Sequence, residues 1–107
     1  MIAVFLGAFG YAIALPSGAD LDDYKSVGRY AATSRTIAQT IANTPVSDRA
    51  FSVEITSLNG SELTPNSSSR RLLQEFIPNE IGAAVEYKRV WNGNSWSGWY
   101  KYEGVAV

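Results

Sequence analysis

The chain reads as a mainly β domain: a small compact knob of antiparallel strands and hairpins with one or two short helical turns. Three observations predict this class. Residues 51–57 alternate Phe51, Val53 and Ile55 with Ser52, Glu54 and Thr56, the period of two that gives a strand one buried and one solvated face. Residues 86–91 and 96–102, both rich in aromatics, flank an Asn-Gly turn at 92–95, the strongest short-range hairpin signal. From Pro16 onward, by contrast, helical spacing never lasts beyond a single turn.

Residues 1–15 are apolar and uncharged. They lack the basic start of an export signal and fall short of the roughly 20 residues that span a bilayer. No membrane insertion is expected. From residue 8 to 15 large side chains (Phe9, Tyr11, Ile13, Leu15) alternate with small ones (Ala8, Gly10, Ala12, Ala14), which favours an extended strand. The competing helix would use Ile2, Leu6, Phe9 and Ile13, but Gly7 and Gly10 would each cost it about 1 kcal/mol. Apolarity on both faces means that both are covered, by the rest of the domain as a buried first strand or by sister chains. The expected division is a stem, junction or first strand over 1–14 and a knob over 15–107.

After Pro16, Ser17 is a plausible N-cap for one helical turn within 17–26, with Asp20 at the capping-box position and Leu21 and Tyr24 on one face. Gly28 ends it, and a short strand over 29–33 follows. Ile37 and Ile41, four apart, predict a second turn that Pro45 closes. The strand at 51–57 leads into a polar loop at 59–70, then a strand over 72–77 that stops at Pro78, a turn at 79–83, and the aromatic hairpin.

Composition removes several functions. A chain of 107 residues is one domain. Its 9 basic and 10 acidic residues are scattered, so the basic footprint of a nucleic-acid binder is missing. With no cysteine and no histidine, disulfides, zinc sites, thiol nucleophiles and Ser-His-Asp chemistry are out of reach. Asp20, Asp22 and Asp23 fail the calcium-loop pattern, because Tyr24 and Lys25 stand where a ligand and the turn glycine belong; they read as capping and a solvated acidic turn. Glu54, Glu75 and Glu86 lie on strands, and a glycosidase would need two of them roughly 5 to 9.5 Å apart across a cleft. Each also fits an outward strand position, and so short a chain leaves little room for a cleft. No enzyme activity, metal or cofactor is expected.

All three tryptophans lie between residues 91 and 99. Trp96 and Trp99, three apart, would face opposite sides of a regular strand, so at least one is expected in packing. Tyr87, Arg89 and Trp91 alternate onto one face, where an exposed guanidinium between two rings would suit a sugar: rings stack on C–H faces while polar groups take the hydroxyls. The candidate carbohydrate contacts are Tyr87, Arg89, Trp91, Asn94 and Tyr100.

The order of these motifs resembles a known family. Leu15-Pro16-Ser17-Gly18-Ala19-Asp20-Leu21-Asp22-Asp23-Tyr24, then Val27-Gly28-Arg29-Tyr30, the strand with Phe51, Val53 and Ile55, the strand with Leu73 and Gln74, and the closing Trp96-Ser97-Gly98-Trp99 together resemble the pyocin-knob domain of bacteriophage and R-type pyocin tail fibres. That resemblance spans residues 15 to about 102. It implies a β-rich knob in a homotrimeric fibre of a virion or phage-like tail particle. It further implies non-covalent attachment to bacterial cell-surface glycan, with other tail or baseplate proteins as further partners. A purely structural fibre-capping role without a ligand is the alternative. Asp20, Leu21, Gly28, Tyr30, Trp96 and Trp99 match as signature positions of the fold rather than as ligand contacts. The short stretch ahead of Leu15 departs from the long stems of such fibres; its alternation would suit a stem-to-knob junction.

Overall fold

A computed structural model describes residues 12–59, 69–80, 82 and 84–107. The protein is mainly β, with six strands in one sheet, ordered as they occur in the chain. These are β1 (Ile13–Ala14), β2 (Gly28–Ala32), β3 (Phe51–Ser57), β4 (Leu72–Pro78), β5 (Val85–Trp91) and β6 (Tyr100–Glu103). From β2 to β6 every neighbour is antiparallel, while β1 lies parallel to β2 through Ile13 opposite Tyr30 and Ala14 opposite Ala31. Of the extended segment expected at 8–15, β1 is the described part; residues 1–11 lie outside the described residues, as does most of the polar loop at 59–70.

Register lines the side chains up in rows across the inner face. One row is Tyr30, Val53, Phe76 and Tyr87; the next is Gly28, Ile55, Gln74 and Arg89. The first is apolar and its centre is closed from water, with Phe76 and Val53 both at 0% exposure. Phe51 and Phe76 stack at 4.2 Å, and Tyr87 meets Phe76 edge-on at 6.1 Å. Each such side chain removed from water contributes about 1.5–3 kcal/mol.

A sheet with one apolar face needs a cover, and here the connections supply it. Leu15, Leu21, Ala38 and Ile41 come from the segments before β2 and between β2 and β3, and pack on Phe51, Val53 and Phe76. The two segments are zipped together by Leu21 N–H to Ala42 O (3.1 Å) and Ala42 N–H to Ala19 O (2.9 Å). Within the first, Leu21–Asp23 forms a 3-10 turn whose N-cap is Asp20, accepting from Asp22 N–H. The sequence pointed to Ser17 for this role; Ser17 instead donates to Thr40 Oγ1. A strand-like φ and ψ at Asp20 place its short carboxylate over the turn's free N–H. The second turn, α1 (Arg35–Ala38), is capped by Ser34.

Candidate functional site: a cleft built around Arg89

The sequence expected Tyr87, Arg89 and Trp91 as an exposed stripe; the sheet turns that face inward, and Arg89 is only 4% exposed. Alternation puts the three on one face but does not choose between it and the Glu86, Lys88, Val90 face. What selects the inward side is the pairing of β5 with β4, which sets Arg89 directly opposite Gln74.

A buried guanidinium is costly unless its donors are used. Arg89 Nε donates to Gln74 Oε1 at 2.8 Å, and Nη1 donates to Asp22 Oδ1 at 2.8 Å. Gln74, wholly buried, spends its amide N–H groups on Leu21 O (2.9 Å) and Tyr24 O (3.0 Å). The pair thus fixes the 3-10 segment to the middle of the sheet. Burial pulls the Arg89 pKa below its ordinary value, with the Asp22 hydrogen bond opposing it.

Two indoles close over the guanidinium. Arg89 Cζ lies 4.4 Å from the Trp96 ring centroid and 4.6 Å from that of Trp99. Trp96 Nε1 donates to Asp22 O (3.1 Å) and Trp99 Nε1 to Asn43 O (3.2 Å), so each ring also ties a covering segment down. Both tryptophans therefore pack inward despite being three residues apart, because the hairpin is bulged. Trp91 pairs with Trp96, and Ser97 N–H bonds Val90 O, yet Lys88 pairs with Tyr100. Between these pairs Gly98 and Trp99 stand against Arg89 alone: one extra residue, which re-aims the side chain that follows. The turn is held by Asn92 Oδ1, accepting from Asn94 N–H and Ser95 N–H at 2.8 Å each.

Above this pillar the surface opens into a cleft of about 470 Å³, within the range of small-ligand sites. Asp22, Asp23, Lys25 and Asn43 line it from the covering segments, and Arg89, Trp91, Asn94 and Ser95 through Ser97 from the hairpin. Lys25 Nζ rests 4.1 Å over the Trp91 ring, and Trp91 and Trp96 are tilted against each other at 5.4 Å. Asn43 holds a left-handed backbone (φ 62°) and donates from Nδ2 to Asp20 Oδ1 at 2.8 Å. That bond, followed by the one from Asp22 N–H, holds the Asp20 carboxyl below its ordinary range.

Of the five predicted contacts, the structure brings Arg89, Trp91 and Asn94 together at this cleft. Tyr87 lies in the core against Phe76, and Tyr100, 63% exposed, stands on the opposite face of the sheet. Sequence reasoning missed Asp22, Asp23, Lys25 and Asn43 as lining residues. The available signal was a lone arginine on an otherwise aromatic face, which asks for a carboxylate from elsewhere in the chain.

A second groove of about 510 Å³ lies at the other end of β5 and β6, between Ile77, Val85 and Tyr102 and rimmed by Glu80, Glu86 and Glu103. Its carboxylates are tied to Arg49, Lys88 and Lys101, and it lacks the converging indoles and amides of the Arg89 cleft. Glu54 and Glu75 are cross-strand neighbours on the outer face, paired with Arg29 and Lys88. Among the described residues no cluster of three or more acidic side chains is placed to hold a metal ion, and no helix is long and apolar enough to cross a membrane. No family model, curated protein or solved structure matches the chain.

Proposed function

We propose that this chain is a receptor-binding knob that holds bacterial surface carbohydrate without covalent chemistry, in the Arg89 cleft. The observation that carries the reading is the composition of that cleft: the Trp91 and Trp96 rings beside the Asp22 and Asp23 carboxylates, the Asn94 amide and the Ser95 hydroxyl. Indoles offer flat apolar surface to the C–H face of a pyranose, and amide, hydroxyl and carboxylate groups around them take its hydroxyls. Setting the knob on a phage tail fibre or phage-like tail particle rests on the resemblance of its motifs to pyocin-knob domains. A homotrimer would multiply a weak single site by effective concentration, without any new contact.

The test is binding of the purified protein, with its oligomeric state established, to polysaccharides from a panel of bacterial surfaces. Saturable binding to some strains, weakened in a folded Trp91→Ala variant, is the expected result. A trimeric protein that binds no surface would overturn the reading. One observation favours the purely structural alternative. The outer face of the sheet exposes Ile77, Val90, Tyr100 and Tyr102, each at least 40% accessible, as a surface packed against sister chains or other tail proteins would.

A further inference from the structure

Two donors at the cleft find no acceptor among the described residues: Arg89 Nη2 and Trp91 Nε1. Both atoms are closed from water, and both belong to residues that line the cleft. The other Arg89 nitrogens are used, Nε by Gln74 and Nη1 by Asp22. Buried donors are nearly always satisfied, and an exception asks for a reason. Trp96 and Trp99, a few residues away, both have their N–H groups satisfied by backbone carbonyls. Trp91 thus differs from its neighbours in the respect that would serve a ligand.

The charge around these donors restricts what the ligand is. Asp22 and Asp23 line the cleft with Lys25 and Arg89, and Asp20 stands behind them on Asn43. Three carboxylates against two cations disfavour an anionic sugar. The donors themselves favour an oxygen that only accepts, since a hydroxyl brings a proton that needs an acceptor of its own. From these two constraints we infer that the cleft takes an uncharged N-acetylated amino sugar. Its acetamido carbonyl accepts from Trp91 Nε1 and a neighbouring ring oxygen from Arg89 Nη2, and its amide N–H donates to the Asp22–Asp23 carboxylates. Lys25, resting over the Trp91 ring on a flexible stem, swings aside and the sugar stacks in its place. This deepens the carbohydrate reading above and depends on it.

The experiment is a titration of the isotope-labelled protein with three trisaccharides, read from its indole N–H resonances. Triacetylchitotriose carries the acetamido group, cellotriose has a hydroxyl in its place on the same backbone, and trigalacturonate is anionic. A Trp91→Phe variant assigns the Trp91 signal and keeps a ring while deleting the donor. The expected result is a shift of the Trp91 N–H with triacetylchitotriose, and affinity about tenfold above cellotriose, as one lost hydrogen bond to a buried donor predicts. Trigalacturonate binds weakest, and Trp91→Phe loses about tenfold for triacetylchitotriose alone. Equal binding of cellotriose, or an unchanged affinity in Trp91→Phe, would overturn this inference and leave the general sugar reading standing. Silence of all three saccharides overturns it too, and a blank polysaccharide panel would then remove the sugar reading as well.

Discussion

Gln74→Leu isolates what the polar pair in the core contributes, because leucine fills similar volume and retains the burial. Three hydrogen bonds disappear: two from Gln74 Nε2 to Leu21 O and Tyr24 O, and one from Arg89 Nε to Gln74 Oε1. All three partners stay where they are, in a region where Gln74 is at 0% exposure and Arg89 at 4%. An orphaned buried group costs about 1–3 kcal/mol, more when it is charged. Two carbonyls and one guanidinium N–H therefore sum to about 5 kcal/mol, from which the apolar gain of leucine subtracts about 1 kcal/mol. The expected loss of about 4 kcal/mol is a large part of the roughly 5–15 kcal/mol that holds a domain of this size. It would lower Tm by about 20 °C. Urea denaturation followed by tryptophan fluorescence suits the measurement, since Trp96 and Trp99 lie on the guanidinium that Gln74 orients. A loss below about 1 kcal/mol with an unchanged m-value would refute the reasoning. It would mean that the covering segments do not depend on Gln74 for their place on the sheet.

Three further outcomes follow from the same geometry. Asn43→Ala loses both the tolerance for a left-handed backbone and the bond to Asp20, about 2 kcal/mol together, whereas Asn43→Gly keeps the first and loses about half as much; urea midpoints of the two variants check this order. The Asp20 carboxyl, held below its ordinary value of 3.8 by Asn43 and then by Asp22 N–H, contributes stability that is present above that value and lost as pH falls through the depressed one. Stability profiles taken downward from pH 5 should accordingly be flatter for Asp20→Asn than for the parent, and parallel profiles would contradict the assignment. Trp99→Ala removes the ring packed edge-on against Phe76 at 5.7 Å and the donor to Asn43 O. That should cost about 3–5 kcal/mol, as loss of a packed tryptophan does, and near-ultraviolet circular dichroism should register the lost ring environment.

Much of the sheet was legible along the chain. The strand at residues 51–57 coincides with β3, that at 29–33 is displaced by one residue from β2, and that at 72–77 stops one residue short of β4, because alternation against polar partners is a local property that burial then obeys. Ile37 and Ile41 marked the second turn for the same reason. The site was less legible. The 97–99 stretch reads as plain strand, and nothing local announces that one residue is extra. Asp22 looked like part of a solvated acidic turn because its partner, Arg89, is 67 residues away in sequence.

The sequence by itself determined the β class, the strands, the hairpin at Asn92–Ser95 and the face that Tyr87, Arg89 and Trp91 share, since these follow from side-chain period and turn chemistry within a few residues. Only the tertiary structure decided that this face turns inward, that a bulge brings Trp96 and Trp99 onto one guanidinium, and that Gln74 and Asp22 accept from its Nε and Nη1. A buried charge is stable only where partners from distant segments converge, and that convergence belongs to the folded chain rather than to any stretch of it.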